Sequence, residues 1–211
     1  MKEPFNYNGF VTRVNEEKLN YLLLIYSNAM LIKHLKNPKL RPCLILENNF
    51  NLAVNENEIQ DALYLDSDII LKQITNYGEF RKDNFNVTCD NLLMSNSHFL
   101  RTKILNVVFE TISHYFAKSE HWKQLHTLNW FQILYLLRNN ASHFDNYNRK
   151  ICFPTWKWLV NPYPPNVEWN NIKISNGQFG HDIKYNDRQV LELMDYIVKY
   201  FDENERIYSL D

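Results

Sequence analysis

The sequence predicts a mainly α-helical fold, a bundle of four to five helices with a small β-strand insertion before the last helix. Two observations predict it. Apolar residues recur at three- and four-residue steps in several separate segments, as they do along the buried face of an amphipathic helix. Between residues 149 and 185 this spacing gives way to prolines, glycines and short aromatic or β-branched runs, which are typical of strands joined by turns. Such helices bury their apolar faces together, so we expect one domain over residues 1–211.

The first half of the chain is predicted to hold two helices. The first begins at Asn15, a good N-cap residue, and ends before Pro38, which cannot continue it. Residues 38–55 contain two prolines and an Asn-Asn pair, so they are predicted to be a connector rather than a long element. A second helix is predicted over residues 56–77, with Gly78 as the residue that ends it.

The second half is predicted to hold the remaining helices. Ser97 is the predicted N-cap of the third helix. A short turn near residues 120–126 leads to Thr127, the predicted N-cap of a fourth helix. The last helix is predicted to start at Asn186, because Gln189 stands three residues later in the capping-box position.

Composition excludes several classes of protein. The formal net charge of −1 gives no global positive field, so a nucleic-acid site must be a local patch. The two glycine-rich phosphate-binding motifs, GxGxxG and GxxxxGK[ST], are both missing from the sequence. No apolar run approaches the ~18 residues that span a bilayer, and no signal peptide is recognisable, so we expect a cytoplasmic protein without a membrane partner. Cys43, Cys89 and Cys152 lie far apart and are predicted to be free, mostly buried thiols.

The end of the fourth predicted helix carries residue types that can cut RNA without a metal. In that reaction the 2′-hydroxyl attacks the adjacent phosphate, which requires a base for the proton and a cation for the charge on phosphorus. His143 can be the base near neutral pH, and the planar guanidinium of Arg138 matches two phosphate oxygens. Asn139 can orient either group. Arg138 and His143 lie ~140° apart around an ideal helix, so the length of the arginine must close that gap.

The segment Arg138-Asn139-Asn140-Ala141-Ser142-His143 resembles the R-[N/H/D]-x(3–5)-H motif of the HEPN superfamily, which includes toxin, abortive-infection and type VI CRISPR ribonucleases. The resemblance implies a helical bundle that forms a homodimer, in which two copies of the motif build one RNA-cleaving cleft. It carries Arg138 and His143 over as catalytic and Asn139 as supporting. We add Asn140, Ser142, Arg149 and Lys150 as RNA-binding residues.

The resemblance also suggests a biological setting. Abortive-infection relatives often continue with arginine and asparagine downstream, as Asn148 and Arg149 do here. In toxins paired with nucleotidyltransferase antitoxins a tyrosine follows the histidine by two residues, where this chain has Asp145. The hypothesis is therefore an endoribonuclease for single-stranded RNA in a toxin or phage-defence context, without metal or cofactor. An antitoxin or defence-complex protein is a possible partner.

Other interpretations of the same residues stay open. The motif segment is also compatible with a solvated helix end, where cations are favourable near the helix C-terminus. A HEPN-like bundle without catalysis, serving as an RNA-binding or protein-interaction module, is the alternative function. Trp156, Trp158 and Trp169 alternate with lysines and suit either base stacking or ordinary packing. His114, His121 and His126 lack a complete set of metal ligands and are predicted to be surface or core residues.

Overall fold

The computed structural model describes residues 5–36, 43–46, 50–53, 67–117, 119–142, 149–159 and 161–208. It is mainly helical, with a small antiparallel sheet before the last long helix, and this confirms the predicted fold class. The chain divides into two compact units, Met1–Tyr21 with Phe99–Asp211 and Leu22–His98, which are described separately. One domain over the whole chain stays a prediction. Among the described residues, no helix is both long and apolar enough to cross a bilayer.

Helix α1 (Tyr7–Lys36) begins eight residues earlier than predicted. The side chain of Asn6 accepts a hydrogen bond from the backbone N–H of Gly9 at 3.0 Å, which is the capping role that was assigned to Asn15. Phe10 and Val14 are fully buried, so the apolar face extends through the segment that was expected to precede the helix. Asn15 therefore lies inside the helix, and its prediction as the cap is wrong.

The unit Leu22–His98 contains a hairpin that the sequence did not predict. Strands β1 (Cys43–Leu46) and β2 (Phe50–Ala53) pair antiparallel, with Leu44 opposite Leu52. They occupy the segment interpreted as a connector.

Helix α2 (Ser67–Arg81) continues past Gly78, which was predicted to end it. The helix stops at Lys82, whose φ of 60° is left-handed. Two backbone hydrogen bonds close this end: the Lys82 N–H donates to the Glu79 carbonyl at 3.1 Å, and the Asp83 N–H donates to the Gly78 carbonyl at 2.9 Å. Gly78 serves a packing need instead, since a Cβ there would lie 2.6 Å from the hydroxyl of Thr88.

Helix α3 (Phe85–Phe116) also begins earlier than predicted. The side chain of Asn84 accepts a hydrogen bond from the Val87 N–H at 3.0 Å and caps the helix, so Ser97 lies in its interior. Cys89 on this helix is fully buried and packs against partly buried apolar side chains, namely Ile74, Phe85 and Leu93. The apolar surface of α3 thus starts twelve residues before Ser97.

Two short-range features around residues 119–129 differ from the prediction. Helix α4 (Glu120–Leu125) replaces the expected turn, because the side chain of Ser119 accepts a hydrogen bond from the Trp122 N–H at 3.2 Å and caps it. Helix α5 (Asn129–Ser142) begins two residues after Thr127. The Thr127 hydroxyl donates to the Gln124 carbonyl at 2.7 Å and closes α4 rather than opening α5.

The predicted strand insertion is present. Strands β3 (Asn166–Trp169) and β4 (Ile172–Ser175) form an antiparallel hairpin that packs on α5. Its two loop residues, Asn170 and Asn171, have φ of 47° and 61°, the left-handed pair typical of a tight hairpin turn. The buried side chains of the hairpin alternate along its strands as the pleat requires: Val167, Ile172 and Ile174.

The last long helix, α6 (Asp187–Glu203), confirms the prediction in detail. The side chain of Asn186 accepts from the Gln189 N–H at 3.0 Å, and the Gln189 side chain accepts from the Asn186 N–H at 3.0 Å, which completes the capping box. Its predicted apolar face is buried at five positions: Val190, Leu193, Met194, Ile197 and Phe201. A short helix α7 (Glu205–Tyr208) follows.

Candidate functional site

Arg138, the predicted catalytic cation, lies in the last turns of α5 and already has partners. Its Nη2 donates to Glu110 Oε1 at 2.7 Å, and its guanidinium carbon lies 5.0 Å from the centre of the Phe109 ring. Both partners come from α3. The side chain of Arg138 is 27% exposed, so solvent reaches it, but a phosphate must compete with the carboxylate of Glu110.

Asn139 is next to Arg138 and links it to a tyrosine. Its Oδ1 accepts a hydrogen bond from Arg138 Nη1 at 3.0 Å, and its side chain is hydrogen-bonded to the hydroxyl of Tyr135. Burial raises the pKa of Tyr135, while the Asn139 hydrogen bond and the charge of Arg138 oppose that rise. Asn139 thus holds Arg138, one of the two groups that it was expected to orient, through its side-chain oxygen.

Asn139 also lines a cleft of about 380 Å³. Four of the predicted site residues meet there: Asn139, Asn140, Arg149 and Lys150. Leu136, Ile151 and Cys152 complete the lining. The structure therefore brings the predicted downstream cations to the end of α5, although neither is adjacent in sequence to the asparagines. The exposed Arg149 and Lys150 give the cleft a positively charged edge.

Backbone pairing with the segment after β4 explains how Arg149 and Lys150 reach α5. The Gly180 N–H donates to the Arg149 carbonyl at 3.1 Å, and the Ile151 N–H donates to the Gln178 carbonyl at 2.8 Å. Lys150 forms an isolated antiparallel bridge with Phe179, and its ammonium lies 5.9 Å from the centre of that ring. The insertion thus folds back and fixes the two cations beside the helix.

Asn140 connects the same backbone to α5. It is 9% exposed, and its Nδ2 donates to the Gly180 carbonyl at 3.3 Å. Its Oδ1 is buried and accepts no hydrogen bond from the described residues. A buried acceptor without a donor costs roughly 1–3 kcal/mol, so Asn140 is a candidate for contact with a ligand in the cleft.

The remaining predicted residues of the motif are only partly covered by the structure. His143, the predicted base, lies outside the described residues. Ser142 is the last residue of α5, and its backbone is helical. The backbone is helical without a break from Asn129 to Ser142, so Arg138, Asn139 and Asn140 all lie on regular helix.

A cluster of aromatic rings surrounds His126, which is 1% exposed. Its Nδ1 lies 2.5 Å from the hydroxyl of Tyr163, with which it shares a hydrogen bond. Six rings lie within 6 Å of its own, centre to centre: Trp122, Phe131, Tyr135, Trp156, Trp158 and Tyr163. Burial lowers the pKa of His126 to about 4. His126 was predicted to be a surface or core residue, and it lies in the core.

The tryptophans of the insertion take different positions. Trp156 and Trp158 stack on one another, with ring centres 4.9 Å apart and planes 15° apart, and stay 38% and 37% exposed. Trp169 packs edge-on against Tyr196, 5.5 Å away. Sequence reasoning treated the three as one set, whereas two of them form a half-exposed pair against His126.

Two other features of the described residues bear on the site. Cys89 is buried as predicted, but Cys152 is an exposed free thiol, since its segment forms one edge of the cleft. Among the described residues, no group of three or more His, Cys, Asp or Glu side chains is placed to hold a metal ion. A second cleft of about 460 Å³ lies along α3 and is lined by Glu110, Arg13 and His114 among others.

Sequence reasoning missed Glu110, Phe109 and Tyr135. Tyr135 lies three residues before Arg138, so it was in reach of a helical argument. The other two lie on α3, and nothing local in the sequence pairs that helix with α5.

Comparison with known proteins adds no relative to this picture. No protein-family model matches the chain, and neither the curated proteins nor the solved structures give a significant match. The function is therefore argued from the residues of the site.

Proposed function

We propose that this protein is a metal-independent endoribonuclease that binds single-stranded RNA in the cleft at the end of α5 and cuts it. One observation supports this most strongly. Asn139 and Asn140, which belong to the motif, line the same cleft as Arg149 and Lys150. A groove that combines amide side chains with cations suits a phosphate backbone and its sugars. The motif thus adjoins a surface that can hold its substrate.

The proposed reaction needs only groups of the RNA and of this chain. His143 takes the proton of a 2′-hydroxyl, whose oxygen attacks the adjacent phosphorus. The bond from phosphorus to the 5′-oxygen breaks, and an acid returns a proton to that oxygen. The products are a 2′,3′-cyclic phosphate and a 5′-hydroxyl. Arg138 stabilises the negative charge that grows on the phosphate oxygens, which is the role of a fixed cation at such a centre.

Arg138 must exchange Glu110 for phosphate to fill this role. The carboxylate of Glu110 is 60% exposed, so the ion pair is worth only about 0.2–1 kcal/mol and a phosphate can displace it. Asn139 keeps hold of the guanidinium during the exchange because its Oδ1 binds the other terminal nitrogen.

A homodimer would supply the acid that one motif lacks. In a symmetric dimer each residue near the two-fold axis faces its own counterpart. With α5 beside that axis, the His143 of the partner subunit can protonate the departing oxygen. An antitoxin or defence-complex protein that covers this face would then regulate cleavage in a toxin or phage-defence system.

The second candidate is an RNA-binding or protein-interaction module without catalysis. The ion pair of Arg138 with Glu110 favours it, since an arginine held by a carboxylate and an aromatic ring already has a structural role. The two candidates differ in what His143 contributes. The enzyme and an RNA-binding module both expect RNA to bind in the cleft, whereas a protein-interaction module does not, and only the enzyme needs the histidine for turnover.

The decisive experiment measures cleavage of a labelled single-stranded RNA in excess EDTA. We expect the wild-type protein to yield cyclic-phosphate products and His143→Ala to lose roughly 10²–10⁴-fold in rate, the usual contribution of a general base. His114→Ala is the matched control, since His114 is an exposed histidine on α3. Light scattering should report a dimer at micromolar concentration.

Four outcomes would contradict this proposal or a part of it. Wild-type protein that binds this RNA without cutting it would favour the module. Cleavage that needs an added divalent ion would refute the mechanism. A His143→Ala variant that cuts at the wild-type rate would remove the histidine from it, and full activity in a strictly monomeric protein would refute the shared site.

A further inference from the structure

The half-exposed pair of Trp156 and Trp158 lies near the proposed site and has no part in the proposed reaction. A turn builds it: the Leu159 N–H donates to the Trp156 carbonyl at 3.0 Å, and the two indoles stack across the turn. Tryptophan is enriched at interfaces, because its ring combines a large apolar face with a polar N–H group.

The pair is held firmly before any ligand arrives. His126 meets both indoles edge-on, at 5.5 Å from Trp156 and 5.2 Å from Trp158. The histidine is fixed in turn, by the hydroxyl of Tyr163 on its ring and by the Gln132 Nε2, which donates to its carbonyl at 2.7 Å. A ligand that stacks on the indoles thus meets a surface whose side chains have little freedom left to lose.

The pair adjoins the proposed cleavage site through one side chain. The ring of Tyr135 lies 5.4 Å from Trp156, and its hydroxyl is hydrogen-bonded to Asn139. Asn139 lines the cleft. Tyr135 therefore connects the indole pair to a residue of the cleft.

The charge around the pair favours a polyanion. Residues 149–158 carry three cations and no acidic residue, and the exposed Lys157 stands between the tryptophans. Aromatic faces beside cations form the usual surface for unpaired bases, since the bases stack while the cations contact phosphates. An apolar protein partner would satisfy the indoles but not these cations.

We propose that Trp156 and Trp158 bind an unpaired base of the RNA whose backbone occupies the Asn139 cleft. This rests on the proposed function and names a part of its substrate: a single-stranded segment that extends beyond the cleavage site. This stacking platform, the indole rings of Trp156 and Trp158, selects no particular base, because every base has a flat face that can stack. Double-stranded RNA, whose bases are already stacked on each other, does not fit it.

The test uses a single-stranded oligonucleotide with 2′-O-methyl groups, which lacks the attacking hydroxyl and cannot be cut. Fluorescence anisotropy gives its affinity for the full chain, and quenching of the indoles reports stacking. We expect Trp158→Ala to weaken binding by about fivefold or more, since stacking is worth ~1–3 kcal/mol per base. Trp158→Phe should restore part of the loss. Trp169→Ala, which removes an indole outside the pair, should change affinity less than twofold.

An abasic series separates stacking from structural damage. In wild-type protein, deletion of one base at a time should reveal a position where the loss also reaches about fivefold. The same deletion should cost almost nothing in Trp158→Ala, because the partner of that base is gone. If no single base matters in wild-type protein, the proposal is overturned, whether or not the variants fold.

The remaining outcomes distinguish this inference from the proposed function. Suppose that wild-type protein cuts RNA, and that Trp158→Ala melts normally and binds the oligonucleotide as tightly as wild type does. This outcome would refute the platform alone. Wild-type protein that binds the oligonucleotide with indole quenching but cuts no RNA would refute catalysis and keep the platform. No binding of the oligonucleotide, or quenching by an acidic peptide instead, would overturn the platform.

Discussion

The last turns of α5 carry two different surfaces. On one, the cation Arg138 is held by side chains of α3, and on the other, polar side chains line an open cleft. Arg138 contacts Glu110 and Phe109, whereas Asn140 contributes to a groove edged by Arg149 and Lys150. The motif makes Arg138 and Asn140 near neighbours in sequence, but the helix turns them towards different surroundings. In the proposed enzyme, binding and cleavage are therefore separable: the cleft would receive RNA unchanged, while Arg138 would first have to leave the carboxylate of Glu110.

The largest expected effect tests that separation directly. We expect Arg138→Ala to lower the rate of RNA cleavage by about 10²–10³-fold, the usual loss when one stabilising donor is removed. Affinity for the uncut oligonucleotide should change little, because Arg138 does not line the cleft. Arg138→Lys, which keeps the charge but not the planar fork, should recover only part of the rate. Equal losses in binding and cleavage would erase the distinction between the two sides.

The second prediction concerns the packed aromatic region behind Arg138. The pKa of folded His126 is about 4, below its ordinary value of 6.5, so the unfolded chain binds a proton that the folded chain does not. Stability should therefore fall as the pH drops from 6.5 to 4, by up to roughly 3 kcal/mol from this group. The neighbouring Tyr163 stays protonated over this range, since burial raises its pKa.

Denaturant unfolding at several pH values measures this effect. His126→Gln cannot titrate, so the difference in unfolding free energy between wild type and variant should change with pH, even if the variant is less stable throughout. Parallel pH curves would mean that His126 is accessible to protons in the folded state. The aromatic region would then be as open as the cleft.

The third prediction measures the charge on the cleft side. Each phosphate contact contributes about 0.7 to the slope of log affinity against log salt for single strands. Arg149→Ala and Lys150→Ala should each reduce that slope by about this amount. Lys173→Ala is the control, because Lys173 is an exposed lysine on β4 and does not line the cleft. If all three variants behave alike, the cleft holds no phosphate.

How far the sequence predicted the fold depended on whether the signal was local. The capping box of Asn186 and Gln189 uses residues three apart, and it was predicted correctly. Asn15 and Ser97 are also good caps by type, yet both lie inside long helices. Their helices are extended by apolar contacts of earlier residues: Phe10 packs against Phe201, and Cys89 packs against Ile74 of the preceding helix.

The site divides in the same way. A role for Asn139 in orienting Arg138 or His143 was predicted. Glu110 was not, since the ion pair joins two helices whose packing no local pattern specifies. The position of Arg149 depends on backbone pairing with Gly180, thirty-one residues downstream, which follows from the hairpin between them. The family resemblance suggested Arg149, but only the fold places it at the cleft.

The smallest expected effect comes from the ion pair between Arg138 and Glu110. Glu110→Gln removes the carboxylate charge, keeps the size of the side chain and leaves a weaker hydrogen-bond acceptor for Arg138. Because the exposed pair is worth ~0.2–1 kcal/mol, its loss should speed cleavage by at most about fivefold. High salt screens the pair in wild-type protein, so the difference between the two proteins should shrink as salt rises. Glu120→Gln, on α4 and bonded to Lys123 rather than to Arg138, is the matched control and should leave the rate unchanged. Slower cleavage in Glu110→Gln would mean that the carboxylate positions Arg138 for phosphate instead of competing with it, and Glu110 would then belong to the active centre.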